Sequence, residues 1–318
     1  MNDAPPPAAV ASDAAALPRA GKRRRPQSRL GAALRDLRHR VEYGALLGVV
    51  ALLGTLGLDR ASAFMGWCWR RLAPLNRRHL RAEAHLAAAL PELSPETRRA
   101  VLGDMWENLG RTAAETVLLP RLLAEPERIV CAVSPEDLER ARGGAVFVSL
   151  HTGNWEVVSQ PLLRAGFQTK ALYKPLSNPH VETWLRSLRE PLYPGGLIGR
   201  QLGIAVKLRT IARAGSVLAV IADQTDRTAI TVDFFGRPAR AMPFPALLAR
   251  RLGLPLFVAR TVRTEGARFR VEGRWLEVPH TDDAEADVVA LTRSIHAVWE
   301  EWIRRLPGQW MWAHRKWL

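Results

Sequence analysis

The chain has 318 residues, with 46 Lys and Arg against 31 Asp and Glu, a net charge of +15 at pH 7 and a pI near 11.1. Its 47% hydrophobic content excludes a disordered or fibrous chain, and its length accommodates one main domain with N-terminal additions. So strong a positive charge calls for a polyanionic partner, and composition alone leaves nucleic acid, an anionic membrane surface and a phosphorylated substrate open. Eleven Trp, several beside Arg or Lys as in residues 67–71 and 310–317, suit the headgroup layer of a bilayer. Cys68 and Cys131 show neither CxxC nor metal-ligand spacing, so a reducing compartment is the simpler reading.

Residues 1–28 are rich in Ala and Pro and then basic at Lys22, Arg23, Arg24 and Arg25, which predicts a disordered tail. Residues 29–60 read as a short basic helix over 30–42 followed by an uncharged run over 43–58. At ~1.5 Å per residue that run measures about 24 Å, short of the ~30 Å hydrocarbon core. A crossing would also place the cations before it outside, against the positive-inside tendency. The expectation is a membrane-associated segment that dips into one leaflet, with a tilted single span as the alternative.

The remainder, 61–318, reads as one folded domain. Helical periodicity covers 61–119, and its clearest helix opens at Ser94-Pro95-Glu96, an N-cap, a first-turn proline and an early carboxylate. Leu102, Met105, Trp106, Leu109 and Ala113 form its apolar side. Ser134-Pro135-Glu136 opens another helix. Apolar strands are expected over 145–150, 168–173, 216–222 and 255–263, with 269–278 as a hairpin partner of the last. Helices are expected over 179–189, 203–214, 244–252 and 287–306. Strands without polar alternation, separated by helices, predict an α/β fold with a mostly parallel sheet covered on both faces.

Residues 145–156 read AVFVSL-HTGNWE, a buried strand that ends in His151 with a carboxylate, Glu156, five residues on. On one continuous helix the two would be about 140° apart. The histidine is therefore expected to precede a helix that Asn154 caps, with Gly153 making the turn and Glu156 reaching back to the imidazole. A carboxylate on one ring nitrogen fixes the tautomer and leaves the other nitrogen as a base. Read plainly, His151 satisfies loop backbone and Glu156 favours a helix N-terminus. There is no G-x-S-x-G elbow, and neither Cys lies near a His motif. His39, His79, His85, His180, His280 and His296 show no metal spacing, and there is no Walker loop or GxGxxG, so no metal or cofactor is expected.

In order, HTGNWE, the Tyr173-Lys174-Pro175 segment, Ala222-Asp223-Gln224 and residues 312–316 (WAHRK) resemble the bacterial lipid A biosynthesis acyltransferase family. The resemblance runs from about Arg40 to the C-terminus and implies a glycerolipid-acyltransferase-like fold for 61–318. It implies that His151 deprotonates an acceptor hydroxyl, which attacks an acyl thioester, with Glu156 as its catalytic partner. It also implies substrate-binding roles for Asn154, Lys174, Arg189 and Asp223. Lys174 stands where the family usually has arginine, so it keeps the charge and loses the bidentate fork. Arg186 and Arg189 both fall where the family has an oxyanion or substrate arginine, and Arg189 is favoured. Amides of the helix N-terminus near Asn154 are a second source of oxyanion donors. Asp223 is expected to orient that arginine or a substrate hydroxyl, and Asp233-Phe234-Phe235-Gly236 to shape an acyl pocket or to be ordinary core.

The partners so implied are acyl carrier protein as donor, a lipid A precursor as acceptor and an anionic membrane surface. The place so implied is the bacterial inner membrane, with the catalytic domain facing the cytoplasm. A related glycolipid acceptor, such as a phosphatidylinositol mannoside, is the alternative within the class. A membrane-tethered nucleic-acid-binding protein is the alternative outside it, and it leaves the ordered motifs without a purpose.

Overall fold

A computed structural model describes residues 29–199, 216–225 and 228–318. The tail over 1–28 and the helix expected over 203–214 lie outside the described residues. The described elements run α1 (Arg29–Leu56), α2 (Leu58–Leu72), α3 (Arg77–Ala89), α4 (Pro95–Val117), α5 (Leu119–Leu123), β1 (Ile129–Ala132), α6 (Pro135–Arg140), β2 (Ala145–Ser149), α7 (Gln160–Arg164), β3 (Lys170–Tyr173) and α8 (Pro179–Arg189). They continue with β4 (Gly196–Gly199), β5 (Val217–Ile221), β6 (Ile230–Asp233), β7 (Pro238–Ala241), α9 (Phe244–Leu252), β8 (Leu256–Glu265), β9 (Arg268–Leu276) and α10 (Ala284–Arg305).

Seven strands form one sheet in the order β1-β9-β8-β2-β5-β3-β4. Every neighbouring pair is parallel except the β8–β9 hairpin. The mostly parallel sheet flanked by helices is therefore as expected. In β2 the side chains alternate between two apolar cores: Val146 and Val148 face α4, α9 and α10, whereas Ala145 and Phe147 face α2, α5 and α7. Burial on both faces is why these strands carry no polar alternation. The caps read from the sequence form as expected: the Ser94 hydroxyl accepts from the Thr97 N–H at 3.2 Å and the Ser134 hydroxyl from the Asp137 N–H at 3.1 Å.

The N-terminal region differs from its expectation. The basic stretch and the uncharged run form one continuous helix, α1, because nothing at Glu42 and Tyr43 breaks it; the break comes at Gly57, whose φ is 74°. Among the described residues no helix is long and apolar enough to cross a membrane. α1 leaves Leu34, Val41 and Leu52 exposed. It docks on the start of α8, where the Asn178 amide donates to the His39 carbonyl and to Glu42 Oε2, both at 2.9 Å.

One buried polar network ties the helical layer to the loop after β2. Glu115 of α4, fully buried, accepts from Ser62 of α2 (2.7 Å), from Asn154 (2.9 Å) and from both terminal nitrogens of Arg263 on β8 (2.5 and 2.9 Å). Asn108 and Thr112, four residues apart on α4, donate to the Gly153 carbonyl at 3.0 and 2.9 Å. A buried carboxylate with four donors is stable only while its cation stays in place. Glu115→Ala is expected to lower the unfolding free energy by about 3–5 kcal/mol in urea titrations. A loss under about 1 kcal/mol would show that the network is not structural.

Candidate active site

The register of the sheet builds the site. Ser149 at the end of β2 pairs with Ile221 at the end of β5, and two residues past each pair stand His151 and Asp223. The carboxyl ends of adjacent parallel strands thus deliver both side chains to one edge of the sheet. Gly153, two residues past His151, has φ 55°, and a Cβ there would meet the Thr261 carbonyl oxygen at 2.2 Å. Only glycine lets the loop turn this close against β8.

The imidazole is held by Asp223. His151 Nδ1 lies 2.6 Å from Asp223 Oδ1, and the His151 backbone N–H donates to Oδ2 at 3.0 Å. Trp310 adds an indole N–H to Oδ2 at 3.0 Å. Burial alone would raise the Asp223 carboxyl, but the charge and hydrogen bond of His151 outweigh it and hold it well below the usual carboxylate range. An ionised Asp223 can only accept, so Nδ1 carries the ring proton and Nε2 is the basic nitrogen. Nε2 faces the exposed Gln224 amide at 3.4 Å. The Trp155 and His314 rings pack edge-on around the imidazole, with centroids at 5.0 and 5.4 Å.

Glu156 does not take the place expected for it. Its oxygens accept from Arg189 Nε at 2.7 Å and Nη2 at 2.5 Å, a bidentate pair, and from the Trp155 indole at 3.1 Å. Glu156 and Asp223 have in effect exchanged expected partners: Asp223 orients the histidine and Glu156 holds the arginine. The physical reason is local. Asn154 caps a single 3-10 turn, Trp155–Val157, by accepting from the Glu156 N–H at 3.1 Å, and Glu156 leaves that turn toward α8 rather than toward His151. The Glu156 amide is thereby taken by Asn154 and is not free to donate to an oxyanion.

Asn154 is another correction. It is fully buried, and its amide donates to Glu115, so it braces the loop and offers no surface to a substrate. Lys174 is exposed just beyond β3. Arg186, the other candidate arginine, donates to the Tyr173 hydroxyl at 3.3 Å and to Glu190 at 3.1 Å. Phe234 and Phe235 are buried at the tip of the β6–β7 hairpin, against Trp310, Trp312 and Trp317. They are core.

The C-terminal basic-aromatic stretch is likewise interior rather than a headgroup-facing surface. Trp312 and Lys316 are fully buried, and His314 nearly so. The Lys316 ammonium donates to the Asp223 carbonyl at 3.1 Å and to His296 Nε2 at 2.8 Å. His151, Asp223 and His314 offer ligand-type atoms within 4.8 Å of one another. Both Asp223 oxygens, however, already accept N–H bonds, whereas His314 Nε2, buried 3.6 Å from Asp223 Oδ2, has no hydrogen-bond partner among the described residues. Sequence reasoning missed Glu115, Arg263, His296 and Trp310. A polar line at Asn108, Thr112 and Glu115, with helical spacing on a buried face, was the one signal for the first of these.

Burial holds His296 well below the usual histidine range, with the Lys316 charge adding to it, and lowers His314 as well. It brings Lys316 down to about 8. Each of these groups has a folded pKa below its unfolded one, so between the two values the unfolded chain binds more protons and stability rises with pH. The histidine contributions are complete above 6.5 and are lost as pH falls below it. For Lys316 the rise runs from about 8 to 10.5 and amounts to about 3 kcal/mol. Urea midpoints measured against pH are expected to show this alkaline rise in the unaltered protein and not in Lys316→Met. Parallel curves above pH 8 would contradict it.

A family model described as bacterial lipid A biosynthesis acyltransferase matches residues 34–318. Phosphatidylinositol mannoside acyltransferase of Mycobacterium tuberculosis, in two strains, is 28% identical over 224 residues, which are 67% of this chain and 68% of the relative.

Proposed function

Because the chain belongs to the bacterial lipid A biosynthesis acyltransferase family, and is thus an acyltransferase of lipid biosynthesis, we propose that it moves a fatty acyl chain from an acyl-carrier-protein thioester to a hydroxyl of a lipid A precursor. The observation that carries the reading is the pinned imidazole: Nδ1–H is spent on Asp223, and Nε2 is turned to the carboxyl edge of the sheet, where its neighbour is the exposed Gln224 amide at 3.4 Å. Nε2 takes the proton of the acceptor hydroxyl as its oxygen attacks the thioester carbonyl. The tetrahedral intermediate collapses with loss of the C–S bond, and the imidazolium returns the proton to the leaving sulfur. Asp223 stabilises the imidazolium in between. Arg189, fixed by Glu156, is the nearby cation for the developing oxyanion or a substrate phosphate, and Lys174 lies exposed beyond the neighbouring strand.

The donor is an acidic carrier, which the net charge of +15 favours. The place of action is the cytoplasmic face of the inner membrane. The exposed apolar residues of α1, together with Trp67 and Leu75, lie in the leaflet there, and the exposed Arg60 and Arg71 meet anionic headgroups, while Arg70 is paired with Asp104 and Glu107. The mycobacterial relative favours a second acceptor, a phosphatidylinositol mannoside or similar glycolipid, handled by the same site.

His151→Ala is expected to lose about 10²- to 10⁴-fold in turnover while staying folded and vesicle-bound. Turnover near that of the unaltered protein in a purified transfer assay would sink the base assignment. Rates with acyl carrier protein are expected to fall steeply with salt; salt-independent rates, or activity only with acyl-coenzyme A, would reject the carrier. Mass spectrometry of lipid A with and without the gene distinguishes the acceptors. Loss of one acyl chain from lipid A supports the first reading, and unchanged lipid A with an altered mannoside supports the second.

A further inference from the structure

Lys316 is a buried cation that the acyl-transfer chemistry does not itself use. Its ammonium sits behind the Asp223 peptide, in a pocket walled by the Phe234 and Trp299 rings at 5.3 and 6.0 Å. It makes no ion pair among the described residues; its hydrogen bonds go to the Asp223 carbonyl and to His296 Nε2. His296 is itself fixed, because its Nδ1 lies 2.8 Å from the Thr292 carbonyl, one turn back on α10. A carbonyl only accepts, so Nδ1 carries the proton and Nε2 is a lone pair that receives the Lys316 N–H. Burying an ammonium against two neutral acceptors is costly, and an apolar side chain would fill an aromatic-walled pocket without that cost.

Resting on the reading of His151 as the base, we propose that Lys316 is a positioning residue for the transfer, one that pins the Asp223 peptide against His151 and offsets the Asp223 charge. The carboxylate has to orient the imidazole without holding a proton on it. Asp223 faces His151 from the end of β5, His314 flanks the pair from the C-terminal segment, and His296 comes from α10 behind Lys316. Burial pushes His314 and His296 toward the neutral form, and the Glu156–Arg189 pair beyond Trp155 is neutral as a pair. Lys316 is then the cation beside Asp223 other than His151 itself. Without it the imidazolium form of His151 gains, and the base is silenced at a pH where it is otherwise free. The peptide that aims the carboxylate also loses its anchor.

The test compares the unaltered enzyme with Lys316→Met, Lys316→Gln, Lys316→Arg and His151→Ala in one purified transfer assay. In Met and Gln the acid limb of log kcat/KM is expected to move up by about one pH unit, close to a tenfold loss on that limb. Arg, which keeps the charge, is expected to leave the limb in place while turnover falls. The low-field proton resonance of the short His151–Asp223 hydrogen bond is expected to move in Met and Gln, a readout that needs no turnover. Gln carries the test if Met does not fold. A folded Gln variant with limb and resonance both unmoved overturns the proposal. If instead His151→Ala keeps full turnover, the base reading fails first; loss in His151→Ala with limb and resonance both unmoved in Gln defeats only the role of Lys316.

Discussion

The Asp223 carboxylate is the group on which the site depends. It is ionised in the interior, beyond the reach of solvent, because three N–H donors converge on it from His151 and Trp310. The donors come from two parts of the chain: the segment after β2 supplies the imidazole and the backbone amide of His151, and the C-terminal segment supplies the indole. A charge buried at this depth tolerates no loose partner, so the carboxylate fixes the geometry of everything that touches it. The tautomer of His151 follows, and with it the position of the basic nitrogen.

The second carboxylate shows how a short turn can redirect a side chain. Glu156 is in reach of His151 by sequence spacing, yet the 3-10 turn that Asn154 caps sends it to Arg189 on α8. The result is two bonded pairs at one edge of the sheet with separate geometry: Asp223 fixes the imidazole of His151, and Glu156 holds the Arg189 guanidinium still. Behind them, Glu115 and Arg263 clamp the Gly153–Asn154 turn to α4 and β8. Because Ser62 of α2 donates to the same Glu115, the helical layer bearing the exposed apolar residues is mechanically continuous with the loop that carries His151.

Much of the scaffold was legible in the sequence for physical reasons. The strands over 145–150 and 216–222 are apolar without alternation, which is the mark of a strand buried on both faces, and their ends carried His151 and Asp223. The pairing of those two residues was not legible, since parallel register between segments some seventy residues apart is set by the whole sheet. The C-terminal stretch misled in an instructive way. Tryptophans beside cations suit a membrane interface, but here the rings form core and Lys316 is drawn inside to meet a carbonyl and a histidine 20 residues away. Charge and aromaticity in a sequence report chemistry, and only tertiary packing reports which side of the surface it falls on.

The central claim is that Asp223, rather than Glu156, is the carboxylate that works through His151. It is tested most directly by single-turnover transfer rates of Asp223→Asn and Glu156→Gln, measured at saturating donor and acceptor. An asparagine at 223 offers an amide to Nδ1 and inverts the preferred tautomer, so its rate is expected to fall by about 10²- to 10⁴-fold. The glutamine at 156 keeps a hydrogen bond to Arg189 and is expected to lose far less. A Glu156→Gln rate as low as that of His151→Ala, beside an Asp223→Asn rate close to that of the unaltered enzyme, would contradict the account.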